Sequence, residues 1–183
     1  MLEVNPFFGK GSCVNEDGFP FIVFAPQCYA DSWFDIFEQL QRFVKMVAEH
    51  PLADTNQVSL IGTSMGGYAV WQLAMTMPEF FSAIVPICGG GMKWNAKRLR
   101  NLPIWAFHGV EDRIVPPEES IQMVDAVNKA MGNARLALLD HVGHNSWDYV
   151  YKQKELFEWL LEQKKSDKAP EYEAENFDGG RFG

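Results

Sequence analysis

Ser64 stands between two glycines in "GTSMG" (residues 62–66), where the apolar run "QVSLIG" gives way to "MGGYAVWQLAM". A serine hydroxyl is a poor nucleophile until a neighbouring base takes its proton. A sharp strand-to-helix turn, with small residues two positions away on each side, lifts that hydroxyl clear of the backbone. The same turn sets it at a helix N-terminus, where N–H groups without an intrahelical partner can stabilise a developing oxyanion. The first of these donors is the backbone N–H of Met65. Glycines that merely close a tight turn give the same local pattern, so the turn must be judged by the partners that follow it.

A serine turn of this kind requires an acid and then a histidine, each in a loop after a later strand. "WAFHGVEDRIVP" supplies Asp112, and "LLDHVGHNSW" supplies His144. The order Ser64, Asp112, His144 is the one that accompanies such a strand-to-helix serine turn, and each residue falls at the carboxyl end of a strand. Glu111 adjoins Asp112, but successive loop residues point differently and the "DRIVP" setting favours Asp112. His108 ends a strand and suits a role in holding the acid loop by hydrogen bonds. His141 reads as a structural histidine, and His50 as an exposed residue at a helix end. A metal site from Asp140, His141 and His144 lacks a supporting Cys/His cluster, so no metal is expected.

The elements that must position these residues alternate along the chain. "FPFIVFAP" (Phe19 to Pro26) is a short apolar run of β-formers, the pattern of a strand buried on both faces. Asp31 and Ser32 offer N-caps to a helix carrying Phe34, Phe37, Leu40, Val44 and Val47, ending near His50-Pro51. Strands follow at 57–62, in "FSAIVPICGG", in "LPIWAFHG" and at 134–140. Helices are expected over Ser64 to Met77, over Glu118 to Met131 behind Pro116-Pro117, and over Trp147 to Gln163. Alternation of this kind calls for about five parallel strands wrapped by helices. Residues 1–163 form one domain, and 164–183 a charged tail that loses periodicity.

With 183 residues and 47% hydrophobic content the chain can bury a core without disulfides. Its net charge of −8 argues against nucleic acid and anionic membrane as partners. The three cysteines, Cys13, Cys28 and Cys88, form no framework. Cys88 reads as a small hydrophobe in a buried strand, and Cys13 and Cys28 pair only if their segments meet. The stretch "MLEVNPFFGKGS" has no signal-peptide pattern, which leaves the location open: cytoplasmic by default, or secreted if the native N-terminus lies further upstream.

Taken together, "APQ" with Trp33, "GTSMGGYAVWQLA", "IVPICGGG", "PIWAFHGVEDRIVP", "GHNSW" and "FEWLLEQ" resemble the α/β-hydrolase superfamily. The resemblance is to its small esterase and predicted-peptidase group, which is phospholipase/carboxylesterase-like and polyhydroxybutyrate-depolymerase-like. It also extends to feruloyl-esterase-like relatives and covers about residues 19 to 163. It implies an α/β-hydrolase fold with Ser64 as nucleophile, Asp112 as orienting acid, His144 as general base and Met65 as oxyanion donor, with no cofactor. The implied activity is a serine carboxylesterase acting on small or carbohydrate-linked esters. Alternatives are a serine peptidase and a non-catalytic remnant that binds or scaffolds. Trp33 and Trp147 either line the substrate mouth or pack as core at helix starts. The run Gly89-Gly90-Gly91 either lets a substrate approach closely or forms a flexible loop.

Relatives carry further strands before "FPFIVFAP", the last ending in a loop that supplies a second oxyanion donor. The chain is therefore expected to be N-terminally truncated relative to the family. It then replaces that donor from Gly9, Gly11 or a nearby N–H, or it forms a homodimer through the open sheet edge, or it is a shortened version of a longer esterase.

Overall fold

The computed structural model describes residues 21–165. Within them four strands, β1 (Ser59–Thr63), β2 (Ala83–Ile87), β3 (Ile104–Gly109) and β4 (Ala134–Leu139), form one parallel sheet in the order β1-β2-β3-β4. Registers such as Ile61↔Val85 and Phe107↔Ala137 bring the C-terminal ends of all four strands to one side. The helices are α1 (Phe37–Ala48), α2 (Met65–Thr76), α3 (Glu118–Lys129), α4 (Trp147–Val150) and α5 (Lys154–Glu162), joined by short 3-10 turns at Pro78–Phe80 and Lys93–Leu99. No helix among the described residues is long and apolar enough to cross a membrane.

The two-residue period of the strands divides the core. Ile84, Ile104 and Ala106 point to the layer of α1, α2 and α3, where Leu40, Val70, Leu73, Met123 and Val127 meet them. Ala83, Val85, Ile87 and Phe107 point to the opposite face, which Val150, Leu156, Trp159 and Leu160 cover. β2 is buried at every residue, which accounts for its unbroken apolar run. His108 follows Ala106 on the first of these faces, a polar exception whose reason is the site below.

Three expectations need correction. Residues 21–29 form no strand, and Phe19 and Pro20 lie outside the described residues, so the sheet has four described strands instead of five. An apolar run becomes a strand only where a neighbour offers a ladder. Here Ile22 is 42% exposed, while Phe21 packs edge-on to Phe157 at 6.2 Å. The first helix begins at Phe37 and not near Ser32. The Asp35 carboxylate accepts the backbone N–H of Ser32 at 2.9 Å and its hydroxyl at 2.8 Å, which closes a separate turn ahead of the helix.

The last helix is broken into α4 and α5, with Gln153 in an extended conformation. Val150 and Leu156 are both completely buried. At about 100° per residue they would stand about 120° apart around a continuous helix, at opposite margins of a single apolar stripe. The break turns both toward the sheet. Cys13 and most of the tail lie outside the described residues.

Candidate active site

The turn between β1 and α2 is tightly packed. Ser64 has φ 53° and ψ −117°, a conformation costing about 1–3 kcal/mol for a residue with a side chain. Three contacts over-determine it. Ser64 N–H donates to Ile87 O at 2.9 Å, and Tyr68 N–H donates to Ser64 O at 3.2 Å. A Cβ on Gly62 would stand 2.3 Å from the carbonyl oxygen of Gly66, so only glycine lets the strand and the helix cross there. The helix then starts at Met65, whose backbone N–H is the first of the amides without an intrahelical acceptor.

Asp112 sits in the turn after β3, and its side chain is completely buried. Oδ1 accepts the backbone N–H groups of Ile114 and Val115 at 2.9 and 3.0 Å. Oδ2 lies 2.8 Å from His144 Nδ1. Burial pushes the carboxyl pKa up, but the hydrogen bonds from His144, Val115 and Ile114 outweigh it and hold the pKa below its ordinary value. His144, after β4, is partly exposed at 21%. Because Nδ1 faces a carboxylate, it carries the ring proton, which leaves Nε2 as an acceptor 2.8 Å from Ser64 Oγ. Ser64, His144 and Asp112 thus form one hydrogen-bonded row at the C-terminal side of the sheet.

A second row supports the acid. His108 is fully buried, with Nε2 at 2.9 Å from Val115 O and 3.3 Å from Asp112 Oδ2. Both are acceptors, so Nε2 carries a proton. Nδ1 meets Ser120 Oγ at 2.7 Å, and Ser120 donates to Gly89 O at 2.9 Å. The acid loop, the start of α3 and the glycine run after β2 are tied together through these side chains. His108 therefore holds the acid loop, as its place in the sequence suggested. Ser120 was not legible as part of the site. The available signal was a serine on the buried stripe of α3, beside Met123, Val124 and Val127.

The remaining candidates fall elsewhere. Glu111 and His141 face each other on the surface at 3.3 Å, away from the row. His50 closes α1, where its Nδ1 accepts Leu52 N–H at 3.3 Å. The set Asp140, His141 and His144 does not converge, since His141 is turned outward to Glu111. Cys88, Asp112 and His144 do converge, with donor atoms within 4.8 Å of one another.

Trp33 packs against the first core cluster, its Nε1 4.0 Å from where a Cβ on Gly66 would stand. Trp147 sets its ring edge-on to His144, with centroids 5.4 Å apart. The glycine run is close-packed: a Cβ on Gly89 would come within 2.6 Å of the Gly67 backbone. Beside it opens a depression of about 500 Å³ lined by Phe34, Phe37, Tyr68, Gln72 and Met92. Burial, together with the Glu119 and Asp112 carboxylates, raises the pKa of the Tyr68 phenol. Gly9 and Gly11, the candidate second oxyanion donors, lie outside the described residues.

Solved structures share this arrangement of elements. A thermostable esterase is 32% identical, with a TM-score of 0.68 over 71% of this chain and 37% of its own. The chain thus spans little more than a third of that esterase. Est1E from Butyrivibrio proteoclasticus is 16% identical, with a TM-score of 0.59 over 72% of this chain and 71% of its own. An acylaminoacyl peptidase of Pyrococcus horikoshii is 16% identical, with a TM-score of 0.57 over 74% and 28%. At these last two identities the likeness is one of fold. No curated protein matches the chain significantly. The family model for dienelactone hydrolases matches residues 27–147, more than half of the chain. This chain, an α/β-hydrolase by its sheet and its helices, belongs to the dienelactone hydrolase family.

Proposed function

We propose that the protein is a serine carboxylesterase, with Ser64 as nucleophile, His144 as general base and Asp112 as the acid that orients it. The observation that carries this reading is the 2.8 Å approach of His144 Nε2 to Ser64 Oγ, with Nδ1 fixed by Asp112. His144 takes the Ser64 proton as Oγ attacks the ester carbonyl, and the Met65 N–H faces the oxygen on which negative charge builds. Collapse of the tetrahedral intermediate expels the alcohol, which receives the proton from His144. Water then attacks the acyl-serine by the same proton transfers and releases the acid. Asp112 stabilises the imidazolium that forms in each half of the cycle.

The substrate is a carboxylic ester small enough for its carbonyl to reach Ser64 beside Trp33 and Trp147. Hydrolysis of p-nitrophenyl acetate, together with labelling by a fluorophosphonate probe, tests the reading. Both are expected for the wild type, and both are lost in Ser64→Ala. Absence of turnover, or turnover that persists in Ser64→Ala, would leave the chain as a binding remnant of a hydrolase.

A further inference from the structure

Cys88 takes no part in this acyl transfer, yet it is completely buried just past the end of β2, at φ 41°. That left-handed conformation disfavours any residue with a Cβ. Its sulfur, a carboxylate oxygen of Asp112 and a ring nitrogen of His144 all lie within 4.8 Å of one another, and two of the three residues are buried. Ser146 Oγ, also fully buried, has no hydrogen-bond partner of normal geometry.

Thiolate, imidazole and carboxylate are the donors that zinc takes, at about 2.3, 2.0–2.1 and 2.0–2.2 Å. Around a tetrahedral ion such donors stand roughly 3.5 Å apart. With the donor atoms within 4.8 Å of one another, side-chain shifts on the order of an ångström would open the 2.8 Å contact between Asp112 and His144 and draw the sulfur in.

We propose that Cys88, Asp112 and His144 form a site for a thiophilic divalent cation, Zn²⁺ or Cd²⁺, whose occupation switches the hydrolase off. On binding, the Cys88 thiol releases its proton to solvent and its sulfur bonds to the metal. Asp112 donates a carboxylate lone pair; the His144 ring proton shifts from Nδ1 to Nε2, so that neutral His144 donates the Nδ1 lone pair, and no electron is transferred. The metal then holds two groups that otherwise act on Ser64, so the serine keeps its proton. Binding stands on the donor set alone, whereas the loss of turnover rests on the esterase reading above.

The full chain, freed of metal by chelation, is titrated with Co²⁺ and then Zn²⁺. The expected result is binding of about one equivalent of Co²⁺ with a thiolate-to-metal band in the near ultraviolet, displaced by Zn²⁺. That band disappears in Cys88→Ser and Cys88→Ala, and zinc affinity falls by more than roughly tenfold. Ser64→Ala binds metal as the wild type does, so failure of the esterase reading and failure of the metal site remain distinguishable. His141→Ala leaves binding unchanged, because His141 pairs with Glu111 on the surface. Wild-type hydrolysis of p-nitrophenyl acetate falls with zinc occupancy and returns with EDTA. Cys88→Ser, compared with its own metal-free rate, resists zinc. A cobalt complex without the thiolate band, no stoichiometric binding, or undiminished zinc inhibition in Cys88→Ser each overturns the site. Where the Cys88 variants fail to fold, the wild-type cobalt spectrum decides.

Discussion

His144 Nε2 lies 2.8 Å from Ser64 Oγ although 80 positions separate the two residues in the chain. The serine hangs from β1 and the histidine from β4, the outermost described strands, so this contact forms only when the whole sheet is in register. For Ser64→Ala we expect ester hydrolysis to fall by about 10⁴–10⁶-fold, with circular dichroism unchanged. Steady-state rates on p-nitrophenyl acetate check this, and a fall of less than about tenfold would assign the nucleophile elsewhere.

Gly62→Ala places a methyl group 2.3 Å from the Gly66 carbonyl, against backbone that cannot rotate away. The turn must open, so Ser64 is displaced from His144 as the fold weakens. The expected outcome in urea unfolding is a loss of about 1–3 kcal/mol, with a parallel drop in kcat. A fully active variant of wild-type stability would contradict the account of the turn.

Ser120→Ala removes a buried hydroxyl that lies 2.7 Å from His108 Nδ1 and donates to Gly89 O at 2.9 Å. Two buried polar groups lose a partner, at a cost of about 1–3 kcal/mol. A double-mutant cycle with His108→Leu should give a non-additive result, since both changes break the same row. Strict additivity in denaturant midpoints would count against the row.

The Asp112 carboxyl has a folded pKa below its ordinary value of 3.8. A carboxylate of this kind stabilises the fold above the unfolded pKa, and the contribution is lost as pH falls through the folded one. The stability difference between wild type and Asp112→Asn should therefore be largest near neutrality and narrow below about pH 4. Thermal unfolding across that range measures it, and a difference independent of pH would refute the assignment.

The parallel sheet, the turn at Ser64 and the loops of Asp112 and His144 were all legible in the sequence. Each is marked by a local device: a buried apolar run, a glycine crossing, or a strand end running into a polar loop. What was not legible depends on contacts between distant segments. "FPFIVFAP" has the composition of a strand but no neighbouring ladder over its described part, and composition carries no information about neighbours. The helix from Trp147 to Gln163 reads as continuous until Val150 and Leu156 must both be buried on one sheet face. Ser120, inside α3, and Ser146, just ahead of α4, escape notice because a serine at such a place signals nothing until its burial is known. Cys88 reads correctly as buried, but its nearness to Asp112 and His144 follows from register alone.

The origin of Ser64 and His144 on opposite edges of the described sheet has a mechanical consequence. Their hydrogen bond is the clasp of a belt whose links are the ladders β1-β2, β2-β3 and β3-β4. Sliding at any one ladder is felt at the clasp, where a displacement of an ångström is enough to part donor from acceptor. On the proposed mechanism, reactivity at Ser64 would gauge cohesion across the described sheet.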